Sequence, residues 1–264
     1  MGKTMKKAVF VTGAAAGIGR AVALEFAHQG WFIGAADLDE VGLASLKAEI
    51  GAERCFTTAL NVADAKQWNK ALASFWKASG ERLDVLVNNA GILSAGVFHE
   101  IPLQRHQSII DINVSGVMAG CHTAYPYLCK TPKSTVINMA SASAMFGQPG
   151  LASYSSSKFA VRGLTEALDC EWAEQGIRVK SIWPLFVQTN MVVGLDKLPS
   201  LKSLGIRLNA DDVARAVWYA ANDRGETSPI HYPVGLQTKV LNLAIKLSPA
   251  WMSRWINQRM STEH

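Results

Sequence analysis

The sequence predicts an α/β fold with a doubly wound parallel sheet whose two faces are covered by helices. Two observations predict it. Between residues 7 and 183, short runs rich in β-branched residues alternate with longer stretches of helical periodicity. The short runs are almost continuously apolar, as expected of parallel strands that are buried on both faces. Right-handed helical crossovers join such strands and place helices on both sides of the sheet.

The first half of the chain contains four predicted strands with three helices between them. The strands are predicted at "AVFVT", "WFIGAAD", "CFTTALN" and "LDVLVNN". The helices are predicted at "IGRAVALEFAHQ", "EVGLASLKAEI" and "DAKQWNKALASFWKAS". The second half continues with a helical region near 103–129, a strand at "STVINMA", a helix that carries Tyr154 and a strand at "IRVKSIW". After residue 184 the pattern changes, and we predict a helix near 211–221 followed by two amphipathic stretches.

Composition and charge limit the classes of partner. The formal net charge is only +5, and Lys and Arg are scattered apart from the terminal "KTMKK", so no nucleic-acid partner is predicted. No apolar run reaches the roughly 18 residues that would predict a transmembrane segment. The four cysteines show no CxxC spacing, and "AVFVTG" has the length of a strand rather than of a signal peptide. We therefore expect reduced thiols in a cytoplasmic protein that holds no metal.

A glycine-rich turn joins the first predicted strand to the first helix. "VTGAAAGIGRA" carries Gly13, Gly17 and Gly19 at the spacing G-x-x-x-G-x-G. Residues without side chains let the backbone turn tightly and approach a pyrophosphate, which the free N–H groups of the helix N-terminus then bind. The turn therefore predicts a dinucleotide site and makes the sheet Rossmann-type.

Asp37 ends the second predicted strand, where a carboxylate can accept hydrogen bonds from the ribose hydroxyls of an adenosine. A fixed carboxylate would repel a 2′-phosphate, so the sequence favours NAD, with NADP as the alternative cofactor. The alternative role for Asp37 is to cap the helix that starts near residue 39, which Asp39 could do instead.

Tyr154 and Lys158 lie four residues apart in "ASYSSSKFAVRGL", within a predicted helix. Positions i and i+4 are stacked neighbours on an α-helix, so a phenol and an ammonium can share one small volume. This spacing alone is common by chance, and a surface aromatic beside a solvated charge would show it too. The rest of the chain must decide between the two interpretations.

Taken together, the motifs resemble those of the short-chain dehydrogenase/reductase family over about residues 7–190. The resemblance rests on "TGAAAGIG", the "NNAG" after the fourth strand, Asn113 in "DINVSG", Ser141 in "INMASASA" and the "YSSSK" of Tyr154 and Lys158. It implies that Asn113, Ser141, Tyr154 and Lys158 form a catalytic set.

The chemistry fits these residue types. Tyr154 can take or return the alcohol proton as general base or acid, and a neighbouring Lys158 would lower its pKa. The resemblance adds that Lys158 binds the nicotinamide ribose. Ser141 can donate to the developing oxyanion, and Asn113 would hold a water molecule in a proton relay from Lys158 to solvent.

The resemblance also implies the cofactor contacts, with "NNAG" supporting the sheet and the adenosine side of the cofactor. They are Gly13, Gly17, Ile18, Gly19, Asp37, Asn61, Val62, Asn89, Ala90, Gly91, Tyr154, Lys158, Pro184, Val187 and Thr189. Two positions depart from the family pattern. Asn61 stands where the family usually has Asp, and Leu185 follows Pro184 where the family usually has Gly. Thr189 matches a threonine that contacts the nicotinamide carboxamide.

The predicted substrate is a small molecule, a bulky hydrophobic secondary alcohol or its ketone. Apolar side chains are predicted around Ser141 and Tyr154, at Met145, Phe146, Leu185, Phe186 and Met191. We therefore expect an NAD(P)-dependent alcohol dehydrogenase or carbonyl reductase. The alternatives are a non-catalytic dinucleotide sensor and an epimerase or dehydratase on the same fold. The intact catalytic set argues against the sensor, and no additional acid or base near it supports the other enzymes.

The absence of an interdomain linker predicts a single domain over 1–264. Its cofactor-binding and catalytic core covers 7–190, and a substrate-loop region with a C-terminal helical extension covers 191–264. The C-terminal tail resembles the tails of one branch of the family, the branch that includes retinol dehydrogenases, hydroxysteroid dehydrogenases and bacterial ketone reductases. Its apolar residues are Leu236, Val240, Leu241, Leu243, Ala244, Trp251, Met252, Trp255 and Ile256.

This tail has three interpretations: a lid over an apolar pocket, a subunit contact, or a helix that makes weak contact with a membrane surface. The resemblance further implies a homo-oligomer, a tetramer or dimer, that packs through the helices near 103–129 and 152–175.

Overall fold

Seven strands pair in parallel at the centre of the structure, a computed structural model that describes residues 6–189 and 205–247. The strands are β1 (Ala8–Thr12), β2 (Phe32–Asp37), β3 (Cys55–Ala59), β4 (Val85–Asn88), β5 (Thr135–Met139), β6 (Arg178–Trp183) and β7 (His231–Pro233). Their order across the sheet is β3-β2-β1-β4-β5-β6-β7. The chain therefore switches direction across the sheet between β1 and β4, which confirms the predicted doubly wound topology.

Eight α-helices connect or follow these strands in the described residues. They are α1 (Gly17–His28), α2 (Glu40–Ile50), α3 (Ala65–Ala78), α4 (Leu103–Ile110), α5 (Gly116–Lys130), α6 (Ala152–Glu171), α7 (Ala210–Asn222) and α8 (Leu236–Leu247). The helical region predicted near 103–129 is divided by a π-helical turn at Asp111–Ser115. Such turns insert an extra residue into the helical repeat and often occur at functional sites.

Two apolar cores lie on opposite faces of the sheet, as the alternation along β1 shows. Val9 and Val11 belong to the core beneath α1, α2 and α7, whereas Phe10 belongs to the core beneath α3, α5 and α6. The Phe10 ring lies 5.1 Å from that of Phe75 and 6.1 Å from that of Trp68, measured between ring centres. Burial of both faces explains why the strands are almost continuously apolar.

The C-terminal part of the described chain adds an edge strand and a helix. The sequence did not predict β7, which pairs with β6 through only three residues and ends in Pro233, a residue that sheets tolerate at their edges. Within α8, Leu241 and Ile245 pack against the core. Four other apolar side chains of α8 are exposed: Leu236, Val240, Leu243 and Leu247. Trp251, Met252, Trp255 and Ile256 lie outside the described residues.

Candidate active site

Two adjoining cavities lie at the carboxyl ends of the strands, where the sheet topology switches. A groove of about 530 Å³ runs along the glycine turn and the ends of β2 and β3. A smaller cleft of about 90 Å³ is lined by Ser141, Tyr154 and Lys158. Four residues line both cavities: Ile18, Asn89, Gly91 and Thr189. A ligand in the groove can therefore extend into the cleft.

The glycine turn leaves the N-terminus of α1 open to the groove. Gly13 adopts a φ of +67°, a left-handed conformation that favours glycine. Ala16 precedes the helix and provides no side-chain cap, so no side chain competes for the N–H groups of the first turn. Gly19 lies against the backbone oxygen of Gly13, where no Cβ atom would fit. This end of α1 therefore suits a pyrophosphate.

Asp37 lines the groove with a carboxylate fixed by the backbone. Its Oδ2 accepts a hydrogen bond from the Ala15 N–H at 3.0 Å, and its Oδ1 accepts one from the Asp39 N–H at 3.1 Å. The cap of α2 is Asp39, whose Oδ1 accepts from the Gly42 N–H at 3.0 Å. Asp39 therefore performs the alternative role considered for Asp37.

The "NNAG" segment attaches the end of β4 to the glycine turn. The Asn89 Nδ2 donates to the backbone oxygens of Thr12 at 2.9 Å and Gly13 at 3.2 Å. The Thr12 Oγ1 in turn accepts from the N–H groups of Asn89 and Ala90. These bonds fix the floor of the groove, and Asn89, Ala90 and Gly91 all line it.

Asn61 and Val62 follow β3 and line the same groove at its outer end, beside Leu38. The Asn61 Oδ1 accepts from the Ala63 N–H at 3.1 Å, which orients the carboxamide. The Val62 oxygen accepts from the Trp68 Nε1 at 2.9 Å. This part of the groove is compatible with an adenine ring, and the adenine contact of Asn61 stays a prediction.

Tyr154 and Lys158 lie on α6 and face the cleft, and Ser141 reaches it from the end of β5. The Ser141 hydroxyl lies beside the Tyr154 phenol, close enough to act on its pKa. The Lys158 ammonium is buried, donates to the Met139 oxygen at 2.8 Å, and lies 5.4 Å from the centre of the Tyr154 ring. The structure thus brings three of the four predicted catalytic side chains together.

The pKa of Tyr154 is higher than the sequence analysis expected. Burial raises it to about 12, and the hydrogen bond with Ser141 only partly offsets this rise. Burial also lowers the pKa of Lys158 to about 8. The prediction that Lys158 depresses the Tyr154 pKa is therefore wrong for this structure, because loss of hydration dominates at the phenol. The phenol is therefore protonated at neutral pH.

Asn113 lies in the π-helical turn and is buried behind the cleft rather than in its wall. Its Oδ1 accepts from the Ile92 N–H, and its Nδ2 donates to the Ile92 oxygen, both at 2.8 Å. The Nδ2 also approaches the Ser157 Oγ at 3.1 Å, beside Lys158 on α6. Asn113 therefore couples the loop after β4 to the helix that carries Tyr154.

The segment after β6 forms one wall of the cleft, as predicted. Its lining residues are Pro184, Leu185, Phe186, Val187 and Thr189. Met145 and Phe146 do not line the cleft, which corrects their predicted role in substrate binding. The short 3-10 helix Ala142–Ala144 turns the chain, so that both side chains are buried in the core beneath α6. Met191 lies outside the described residues.

Sequence reasoning missed several residues that line the cleft. They are Leu93, Met139, Ala140, Ser143, Gln148 and Leu151. Ser143 and Gln148 are the polar members of this group, and both are buried. Their position in the sequence between Ser141 and Tyr154 was the available signal that they could line the cleft. An ordinary surface turn of small and polar residues would have the same sequence pattern, so this signal was not sufficient.

Comparisons with known proteins cover the region that contains both cavities. The family model for short chain dehydrogenases matches residues 7–198. D-threitol dehydrogenase of Mycolicibacterium smegmatis is 34% identical over 225 residues, which cover 82% of this chain and 86% of the relative. A 3-oxoacyl-(acyl-carrier-protein) reductase of Thermotoga maritima is 32% identical over 227 residues, covering 82% and 91%. The structure of 3-ketoacyl-(acyl-carrier-protein) reductase from Brucella melitensis complexed with NADH is similar at a TM-score of 0.80 and 26% identity, covering 86% of this chain and 96% of that chain.

Proposed function

Because this chain belongs to the short-chain dehydrogenase family, we propose that it interconverts a hydrophobic secondary alcohol and its ketone by hydride transfer with NAD(P). The observation that carries the proposal is the junction of the two cavities. Residues from the dinucleotide groove, Ile18 and Thr189 among them, also line the cleft that holds Ser141 and Tyr154. A nicotinamide and a substrate can therefore meet at this junction.

The chain's own residues provide binding and proton transfer. Tyr154 gives its proton to the carbonyl oxygen during reduction and takes the alcohol proton during oxidation. Ser141, which lines the cleft beside Tyr154, donates to the same oxygen as negative charge develops on it. The buried ammonium of Lys158, which donates to the Met139 oxygen at the edge of the cleft, would hold the nicotinamide ribose when the cofactor is bound.

The residues of the groove fit NAD(P). The uncapped N-terminus of α1 suits the pyrophosphate, and Asp37 can accept from ribose hydroxyls with the lone pairs that its two backbone bonds leave free. When bound, the cofactor supplies a nicotinamide ring that accepts or donates the hydride. Asp37 would repel a 2′-phosphate, so NAD is the preferred form.

A change at the end of β2 tests this preference. Asp37→Ser combined with Leu38→Arg removes the repulsion and adds a cationic partner for a 2′-phosphate. We expect the ratio of kcat/KM with NADP to kcat/KM with NAD to rise by at least about tenfold. Leu38→Arg alone, which retains the carboxylate, is the matched control and should shift the ratio less. Wild-type protein that already prefers NADP would refute the role assigned to Asp37.

The proposed reaction is tested with a panel of secondary alcohols and ketones in the presence of NAD or NADP. Reduced nicotinamide is followed by its absorbance, with purified wild-type protein. Leu93, Leu151 and Phe186 give the cleft apolar walls, so the larger apolar substrates should have the higher kcat/KM. Binding of the dinucleotide without turnover of any member would support the sensor instead.

The C-terminal tail is proposed as a lid over this apolar site. A further cavity of about 410 Å³ lies between α8 and the Leu185–Phe186 wall of the cleft, lined also by Leu208, Leu236 and Val240. Leu185 and Phe186 thus separate the cleft from an apolar space beneath α8. This arrangement supports the lid over the other two interpretations of the tail.

Truncation after Leu247 tests the lid, because it removes Trp251 and Trp255 but keeps the core contacts of α8. We expect kcat/KM to fall several-fold more for bulky apolar substrates than for small ones, since only bulky substrates bury surface against the tail. A subunit contact would instead give a smaller assembly on a sizing column. A membrane-surface helix would give lost binding to anionic vesicles with unchanged kinetics.

The homo-oligomer remains part of the proposal. Large apolar side chains are exposed on the helices expected to pack between subunits: Leu103 and Ile110 on α4, Met118 on α5 and Phe159 on α6. A second copy of the chain would bury them.

A cytoplasmic location is likewise proposed, supported by the free state of the four cysteines. Among the described helices, none combines the length and the apolar character needed to cross a membrane.

A further inference from the structure

Gln148 is one of the few polar residues that line the cleft, among mostly apolar neighbours. As a whole the residue is only 4% exposed. Its backbone N–H donates to the Ser155 Oγ at 3.1 Å, and Ser155 is the neighbour of Tyr154 on α6. The position of Gln148 is therefore fixed relative to the catalytic phenol.

A chain of hydrogen bonds connects Gln148 with the catalytic hydroxyls. The Ser141 Oγ, which lies beside the Tyr154 phenol, donates to the Ser143 Oγ at 3.3 Å. The Ser143 hydroxyl donates to the Gln148 Oε1 at 3.4 Å. The polar groups thus run from the reacting position along one side of the cleft and end at the amide.

The second polar atom of the amide has no partner within the described chain. The Gln148 Oε1 accepts from Ser143, while the Nε2 makes no hydrogen bond. The fully buried side-chain atoms that lack a partner in the described chain are the Asn88 Oδ1 and the Arg178 Nε, so the Gln148 Nε2 keeps part of its surface accessible. With the amide turned over, the Oε1 would be the atom without a partner. Either orientation leaves one polar atom for a ligand in the cleft.

We propose that Ser143 and Gln148 form a polar subsite that binds a second hydroxyl group of the substrate, close to the reacting carbon. The proposal rests on the proposed dehydrogenase function and narrows its substrate class to vicinal diols and the corresponding hydroxyketones. A hydroxyl suits the site because it can donate or accept, and so pairs with the amide in either orientation. The remaining apolar walls, from Leu93 and Leu151, accommodate the hydrocarbon part of the substrate.

The test compares 2,3-butanediol with 2-butanol, which share a carbon skeleton and differ by the second hydroxyl. Wild-type protein should have the higher kcat/KM for the diol. Gln148→Met keeps the length of the side chain and removes both polar atoms, so the diol-to-alcohol ratio of kcat/KM should fall about tenfold or more. Gln175→Met, in the exposed turn after α6, is the matched control and should leave the ratio unchanged. NADH affinity reports correct folding of each variant.

Ser143→Ala provides a second route to the same conclusion. It removes the hydroxyl that orients the Gln148 amide, and should lower the ratio by a smaller factor than Gln148→Met. Equal kcat/KM for the diol and the alcohol in wild-type protein, or an unchanged ratio in Ser143→Ala or in folded Gln148→Met, would overturn the subsite and leave the dehydrogenase intact. No turnover of any alcohol or ketone with either cofactor would overturn the dehydrogenase itself.

Discussion

Replacement of Tyr154 by Phe should lower kcat by at least about 10²-fold and leave the Kd for NADH close to that of the wild type. The substitution keeps the aromatic ring and removes the hydroxyl that lies beside Ser141 in the cleft. Because the phenol has a pKa of about 12, it is protonated at neutral pH and donates to the carbonyl oxygen during reduction. Without this hydroxyl, the alkoxide formed by hydride transfer loses its direct proton donor.

Tyr127→Phe is the matched control for this experiment. Tyr127 lies on α5, packs its ring 5.2 Å from that of Trp76, and is remote from both cavities. Removal of the Tyr127 hydroxyl should change neither kcat nor the Kd for NADH. Near-normal turnover by Tyr154→Phe, with ketone reduction measured at saturating NADH, would show that another group transfers the proton.

Gly19→Ala should weaken NADH binding by at least about tenfold and destabilise the fold by about 1–3 kcal/mol. A Cβ atom at this position would overlap the Gly13 oxygen and lie 2.6 Å from the Asn89 Nδ2. Both neighbours belong to the framework that fixes the glycine turn, so the turn must move away from α1. The N–H groups that suit the pyrophosphate would then be displaced.

Gly163→Ala adds the same methyl group to another helix and serves as the control. Outside the adjoining backbone of α6 itself, no atom of the described chain lies within 4 Å of the new Cβ. NADH affinity should therefore stay at the wild-type value. Titration of NADH fluorescence measures both variants, and thermal unfolding measures their stability. Unchanged NADH affinity in Gly19→Ala would show that close packing of this turn is not needed for cofactor binding.

The parts of the fold that depend on local pattern could be predicted from the sequence. Apolar strands and amphipathic helices repeat their pattern along the chain, and six strands and the boundaries of α2 appear where the sequence places them. β7 could not be predicted, because three residues that end in Pro233 carry no periodicity. Its partner β6, rather than its own sequence, makes it a strand.

The candidate site was predictable where a motif requires a particular residue type, as at Gly13 and Tyr154. It was not predictable where the path of a turn decides which side chain faces the cleft. The 3-10 turn after Ser141 buries Met145 in the core and leaves Gln148 in the cleft wall, and no local preference distinguishes these outcomes. The pKa of Tyr154 depends on how completely tertiary packing excludes water from the phenol. The four-residue spacing between Tyr154 and Lys158 gives no information about this packing.

The most direct test of the central claim is the transfer of deuterium from a secondary alcohol, labelled at its carbinol carbon, to oxidised nicotinamide cofactor. Mass spectrometry of the cofactor after incubation with purified wild-type protein measures it. Hydride transfer at the junction of the two cavities predicts one deuterium per reduced cofactor, and at least about 10²-fold slower labelling with Tyr154→Phe. Ketone formation with an unlabelled cofactor, or equal labelling by the two proteins, would contradict the account.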